Sequence, residues 1–378
     1  MAEETAERNW DYLLLVVTLV LTLVGLVMVL SSSAIMAQKR FGDAYFFFRP
    51  QVAYVLLGLF LMVVLKNVPY QYFCKLSYPI LLVTLAGLII VLIPGLGFKA
   101  GGASRWLRVG NLSFQPSELA KMTLVIYLAY SLSAKRDKMK KFMVGIFPHL
   151  VVLAIMIPLV LAEPDLGSSL TMILLAISML FVAGARMRYL LGMAMIAAPA
   201  AAWLIYNSPY RLKRITAFLS PWDDPLGAGY HIIHSFYAFA SGGIMGLGPG
   251  GGQQKLFFLP EPHTDFIFSV VGEELGFIGV TLVALLFLIL VIRGISIALN
   301  AYELEGTYLA LGLTLVIGFQ AFINMAVVVG LLPTKGLTLP FFSYGGSAML
   351  VNFACIGMIL NVASQGKAQP AKGRRGDD

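Results

Sequence analysis

The segment Leu259-Pro260-Glu261-Pro262-His263-Thr264-Asp265-Phe266 places a carboxylate where a polar stretch meets an apolar run. An aspartate at such a boundary can draw the proton from an attacking hydroxyl as a general base. It can equally belong to a helix cap. Thr264 or Asp265 would then satisfy the first free N–H groups, and a carboxylate is favoured at the positive end of the helix. Spacing alone leaves both readings open. The neighbouring His263 is either an orienting or proton-transfer group or simply a hydrogen-bonded interfacial histidine.

Gln115-Pro116-Ser117-Glu118-Leu119-Ala120-Lys121 opens another apolar run, with a proline suited to a first helical turn. Glu118 and Lys121 are three apart, so they share one helix face and can pair. Charges within a membrane helix are costly and normally face a cavity, so the pair either lines one or ties two helices together. Glu273 and Glu274 lie about two turns, roughly 12 Å, into a further run and demand partners. Arg49 is a candidate cation for an anionic headgroup or for one of these acids, unless it snorkels to the interface. The stretch from Gly242 to Lys255 is dense in glycine. Such backbone can cradle a phosphate, with Lys255 as the cation, or can be a cluster of turns. It lacks the Gly-Lys-Ser/Thr ending of a nucleotide-binding loop. His231 and His234 are three apart but have no third and fourth ligands of convincing spacing for zinc.

The elements that position these groups follow from composition. Hydrophobic residues make up 59% of the 378 and charged residues 12%, with a mean hydropathy of +0.84. An average soluble domain is about 25% charged. A soluble enzyme and a disordered chain are both excluded, because a core this apolar must have lipid as its solvent. Ten apolar segments have spanning length: 12–35, 50–67, 77–94, 116–134, 143–162, 166–184, 187–206, 266–292, 307–330 and 340–363. Irregular backbone at membrane depth would leave polar groups unsatisfied, so the fold class is all-α, a polytopic membrane bundle of about ten transmembrane helices. The alternating ten-residue pattern of a membrane barrel is absent. The first run is too long for a signal-peptide core and reads as a retained anchor.

An even number of spans puts both termini on one side. That side carries fifteen Lys and Arg, against seven in the short loops opposite, which makes it cytoplasmic. The run from Lys135 to Lys141 is a solvated loop beside anionic headgroups. The chain divides into a cytoplasmic tail 1–11, a transmembrane domain 12–364 and a polar C-terminal tail 365–378. Within the domain, the loop 207–265 between spans seven and eight faces outward. Its 59 residues carry Trp222, Tyr230, Phe236, Tyr237, Phe257 and Phe258, enough apolar surface to fold back onto the bundle. The net charge of +8 points to membrane lipid rather than nucleic acid, for which no motif is present. Cys74 and Cys355 suggest neither a disulfide framework nor a zinc site.

Taken in order, these segments resemble the SEDS family of peptidoglycan polymerases, the FtsW/RodA family, across all ten spans. The resemblance rests on Arg105-Trp106, the Ser113–Lys121 segment, Pro221-Trp222-Asp223-Asp224-Pro225 with Gly227–Tyr230, the Leu259–Phe268 segment, and Lys335–Ser347. Val271–Gly276 and Lys335–Pro340 look more like the division member than the elongation member. His231 and His234 replace two glutamines of the family pattern, which favours hydrogen bonding over metal ligation there. Gly252 stands where a serine is common, Phe258 replaces a tyrosine and Ala348 a serine.

The resemblance implies that lipid II, a disaccharide on undecaprenyl pyrophosphate, is polymerised into glycan strands on the outer face, with Asp265 as the catalytic residue. Single displacement at the anomeric carbon inverts it and needs one base but no covalent glycosyl-enzyme. The departing pyrophosphate needs cations, for which Arg49, Lys121 and Lys255 are the candidates, with a divalent cation (Mg or Mn) as a further one. Glu118 and Lys121 would line the donor cavity, and His263 would contact substrate. No organic cofactor is implied. The implied partners are a class B penicillin-binding protein transpeptidase and other divisome proteins at the septum of the inner membrane. Two rival classes remain: a transporter that flips lipid II, and a non-catalytic scaffold.

Overall fold

The computed structural model describes residues 11–100, 103–109, 112–255 and 262–367. The tails before 11 and after 367 lie outside the described residues. So do Phe257, Phe258, Leu259, Pro260 and Glu261.

Each of the ten expected spans corresponds to a helix. They are α1 (Tyr12–Phe41), α2 (Phe48–Asn67), α4 (Ser77–Leu92), α5 (Pro116–Ala134), α6 (Phe147–Ala162), α7 (Leu166–Val182), α8 (Met187–Tyr206), α11 (Ile267–Leu299), α12 (Leu304–Val328) and α13 (Gly346–Lys367). Three shorter helices lie between them: α3 (Tyr70–Lys75), α9 (Pro209–Leu219) and α10 (Tyr230–Gly242). By length and composition, α1, α2, α6 with its leading π turn, α8, α11, α12 and α13 can each cross a membrane. The apolar helices α4 and α7 are shorter, at 16 and 17 residues, and α5 carries the Glu118–Lys121 charges in its first turns.

Local chemistry sets the ends. Asp11 caps α1 by accepting the Leu14 N–H at 3.2 Å, and Gly42 closes the helix at φ +74°. Asp165 caps α7 through the Ser168 N–H at 3.0 Å. The helix α13 runs through the centre of the bundle, with 94% of its spanning stretch buried, whereas α8 sits at the rim with 6%. Between them, α12 packs against α5, α7, α11 and α13.

The loops after α1, α4, α6, α8 and α12 gather at one end of the bundle, the end that carries Asp265. Two features there went beyond the sequence reading. The connection between α4 and α5 holds a small antiparallel sheet, β1 (Gly97–Ala100), β2 (Ala103–Val109) and β3 (Leu112–Phe114), in that order. The long loop is also not structureless, since α9 and α10 form within it. The helix α10 folds back onto the bundle: Ser235 Oγ donates to Val328 O at 2.6 Å and lies 2.9 Å from Ser269 Oγ.

Helix α11 is interrupted at Gly276, which adopts φ +65°, ψ −165°, a backbone that side chains disfavour. The glycine-rich stretch supplies the missing hydrogen bonds. Leu247 and Gly248 N–H donate to Glu273 O and Glu274 O, both at 3.0 Å. Phe277 and Ile278 N–H donate to Gly243 O and Ile244 O at 2.9 and 3.3 Å. Broken helix backbone is tolerated at membrane depth only when re-satisfied in this way.

Candidate active site

Asp265 lies in a run of turns, 262–266, just before α11. The N-cap position of that helix is Phe266, and no side-chain cap bond forms there. The helix begins at Ile267, so the cap position falls one residue beyond the Thr264 and Asp265 that the sequence offered for it.

The backbone of His263, Thr264 and Asp265 is held at every carbonyl. Tyr344 N–H donates to His263 O at 2.8 Å, Ser343 Oγ to Thr264 O at 2.6 Å, and Asn324 Nδ2 to Asp265 O at 2.9 Å. These donors come from α12 and from the connection 329–345. That connection is itself pinned: Gln51 Nε2 of α2 donates to Ser343 O at 3.1 Å, and Leu339 N–H donates to Ser343 Oγ at 2.8 Å. Its buried Phe341 holds φ +65°. The helix α1 approaches so closely here that a methyl on Gly25 would stand 2.3 Å from Phe341 O. A half-buried Asp265 is thus mounted on a backbone that is tied down on both sides.

The carboxylate itself lies beside Gly336, where an added methyl would be 3.2 Å from Asp265 Oδ2. The preceding residue, Lys335, is half-buried, and among the described residues it forms no ion pair. Burial pushes its ammonium pKa down from the ordinary value. Arg214 of α9 anchors this stretch by donating to Thr334 O at 3.1 Å. The sequence reading used Lys335 only as a motif residue; in the chain it precedes Gly336, which the Asp265 carboxylate approaches.

His263 is buried, with its ring 4.4 Å from that of Phe47 and 5.6 Å from that of Tyr344. Burial first, and then the charge of Arg40, push its pKa down to about 4, so the ring is neutral at neutral pH. Its Nδ1 has no hydrogen-bond partner among the described residues.

Glu118 and Lys121 do pair, at 2.8 Å and fully inside the bundle. The contact extends toward the site. Lys121 Nζ reaches Gln320 Oε1 at 3.4 Å, and Gln320 Nε2 donates to Thr338 Oγ1 at 3.1 Å. Thr338 lies two residues from Gly336.

The other candidate cations are elsewhere. Arg49 is 72% exposed and pairs with Asp43 at 3.1 Å, not with Glu273 or Glu274. Lys255 is buried in an ion pair with Glu274 at 2.6 Å and also donates to Ser31 Oγ at 3.0 Å. Glu273 accepts the N–H groups of Gln253 and Gln254 at 2.6 and 3.0 Å. The glycine-rich stretch thus serves as the plug of the α11 break, and the phosphate-cradle reading gives way to the turn reading. A side chain at Gly252 would come within 2.6 Å of Glu273 Oε2, so the Glu273 carboxylate would have to move to make room for one. His234 Nδ1 hydrogen-bonds Gln254 Oε1 at 2.7 Å, and His231 stacks on Phe266 at 5.4 Å.

At the same end of the bundle, Arg105 of β2 donates to Glu163 O and Pro164 O at 2.8 and 2.6 Å. Asp165 Oδ2 accepts from Ser117 Oγ at 3.1 Å. Glu163 is fully buried, and both its carboxylate oxygens are without partners among the described residues.

A helical bundle with one carboxylate braced among its end loops defines a multi-pass membrane protein with a polar site at one end. Residues 11–368 match the model of the FtsW/RodA/SpoVE family, described as cell cycle protein, and the chain belongs to that family. It is 48% identical over 358 residues to a Geobacter sp. (strain M18) protein named "Probable peptidoglycan glycosyltransferase FtsW", covering 95% of this chain and 98% of that one. It is 42% identical over 359 residues to stage V sporulation protein E of Bacillus subtilis (strain 168), again covering 95% and 98%. Among solved structures it resembles a chain of a peptidoglycan synthase complex that coordinates polymerization and crosslinking, with a TM-score of 0.78, 29% identity, and coverage of 94% and 98%. It also resembles the rod shape determining protein RodA of Thermus thermophilus, with a TM-score of 0.70, 28% identity, and coverage of 94% and 97%.

Proposed function

We propose that this chain is a peptidoglycan glycosyltransferase that polymerises lipid II, working at the division septum. The observation that carries the reading is Asp265, half-buried and fixed by its own backbone beside Gly336. The names of its relatives support the same chemistry.

In the reaction, the 4-hydroxyl oxygen of one lipid II attacks the anomeric carbon of the other. Its proton passes to the Asp265 carboxylate as the new glycosidic bond forms. The bond from the anomeric carbon to the diphosphate oxygen breaks, and undecaprenyl diphosphate leaves with the electron pair. A single displacement inverts the carbon and needs one base. The leaving diphosphate is stabilised by fixed positive charge. Lys335 and, through its relay, Lys121 are the cations on that side. Arg49, exposed and paired with Asp43, sits where lipid headgroups can reach it. His263, neutral and packed between aromatic rings, contributes shape rather than charge.

Among the described residues, no three His, Cys, Asp or Glu side chains converge on a metal position. A magnesium or manganese ion would help to neutralise the diphosphate charge, while the steps above rest on the protein's own groups. The excess of Lys and Arg at the opposite end supports an outward-facing Asp265, with both termini in the cytoplasm of the cell. A class B penicillin-binding protein transpeptidase, other divisome proteins and membrane lipid are the partners that fit this reading.

The test uses purified protein with its transpeptidase partner and fluorescent lipid II. Wild type should make polymer, and Asp265→Asn should lose about 10²–10⁴-fold in rate, the range for a general base. Headgroup translocation in liposomes without any polymer would instead make the chain a flippase.

A further inference from the structure

We propose that Asn324 of α12 is a positioning residue for Asp265: one side-chain amide ties the base to the stretch that carries Lys335. The inference rests on the reading of Asp265 given above. Asn324 is buried and uses both hydrogens of Nδ2, one toward Asp265 O at 2.9 Å and one toward Leu337 O at 2.6 Å. The two N–H bonds of an amide diverge at a fixed angle in one plane. A single rigid fork therefore sets the spacing between two loops that are far apart in sequence.

The other half of the same side chain makes the case stronger. Oδ1 of Asn324 is buried without a partner among the described residues. An unmatched buried acceptor is unfavourable. What Asn324 supplies at this position is its two donors, and an apolar residue there would leave Asp265 O and Leu337 O without theirs. One turn earlier, about 6 Å along the axis, Gln320 repeats the arrangement, joining Lys121 to Thr338. The polar face of α12 thus grips the 336–338 stretch at two levels. At the upper level, the bare Cα of Gly336 leaves room for the Asp265 carboxylate. Asn324 orients the base through its main chain, and Gly336 does so by leaving space.

The experiment measures lipid II polymerisation by the full chain with its transpeptidase partner, for Asn324→Ala and for the isosteric Asn324→Asp, beside Asp265→Asn. Both Asn324 variants should lose about 100-fold in kcat with KM changed less than about twofold, the signature of a contact felt at the transition state. The acid limb of the pH–turnover profile should move by about half a unit or more, because it reports the protonation of the base. Should Asn324→Ala not fold, Asn324→Asp, of the same shape, decides. Turnover within threefold of wild type would overturn the proposal. So would a loss matched by a lowered thermal midpoint with an unmoved pH profile, which would make Asn324 structural only. An active Asp265→Asn would sink the general-base reading itself, whereas an inactive one beside fully active Asn324 variants would sink this inference alone.

Discussion

Two buried lysine–glutamate pairs sit in this bundle and look alike in isolation. Lys121–Glu118 is 2.8 Å long, Lys255–Glu274 is 2.6 Å, and all four side chains are almost wholly enclosed. Their surroundings separate them. Lys121 passes its contact on to Gln320 and Thr338, toward the Asp265 loops. Lys255 and Glu274 close on each other and on Ser31, which bonds both carboxylate oxygens of Glu274 at 2.6 and 2.8 Å. That second cluster clamps the glycine-rich stretch over the break in α11. A buried charge pair is therefore not itself a sign of chemistry; what matters is where the remaining hydrogen bonds lead. By the same reasoning the unpaired Lys335 is a better diphosphate cation than the paired Lys255.

The largest effect should come from breaking the clamp. Lys255→Met leaves Glu274 buried with only Ser31 beside it, and removing one partner of a buried pair costs about 3–5 kcal/mol. The folded yield and thermal midpoint should both fall sharply. Lys255→Met combined with Glu274→Met should recover most of that loss and polymerise near the wild-type rate. A well-folded double variant without turnover would place Lys255 in the site and dissolve the contrast.

Next in size is the matching exchange at the other pair. Lys121→Met with Glu118→Met should also fold, because a buried pair can be replaced by apolar groups of similar volume. Its turnover should nevertheless fall about 100-fold, close to 2.7 kcal/mol of barrier. Wild-type turnover in this variant would mean that both pairs are scaffolding.

The sequence announces some of this arrangement and conceals the rest. All ten apolar runs were legible as helices, seven of them long and apolar enough to span, because such a run is a local property whatever its neighbours. Asp265 stood out because its segment is distinctive, although from spacing alone the cap was the stronger reading and only the resemblance turned it toward a base. The break at Gly276 was not legible, since the bonds that permit it come from a stretch some thirty residues earlier. Lys255 looked like a free cation for the same reason: its partner sits on another element. The three short strands, of 3 to 7 residues, carry too little pattern to register between spans. Gln320 and Asn324 did leave a signal, two amides four apart in an apolar run. Such a pair marks a polar face inside the membrane.

Glu163 gives the most specific test, because it is the uncompensated counterpart of both pairs. It is fully buried, and neither oxygen has a partner among the described residues. Burial pushes its pKa up to about 8 from the ordinary 4.5, with Asp165 adding to the rise and Arg105 opposing it. The folded protein therefore holds this proton more tightly than the unfolded chain. The associated stability is complete below about pH 4.5 and is lost as pH rises through about 8. Glu163→Gln imitates the neutral acid and has no such dependence. Its thermal midpoint should match that of wild type near pH 5 and exceed it by several degrees at pH 9, at about 2–4 °C per kcal/mol. Taking the difference between the two proteins at each pH removes every other titrating group. If the two midpoints run in parallel from pH 5 to 9, Glu163 is compensated as fully as Glu118 and Glu274 are. The division between paired and unpaired carboxylates in this bundle would then not hold.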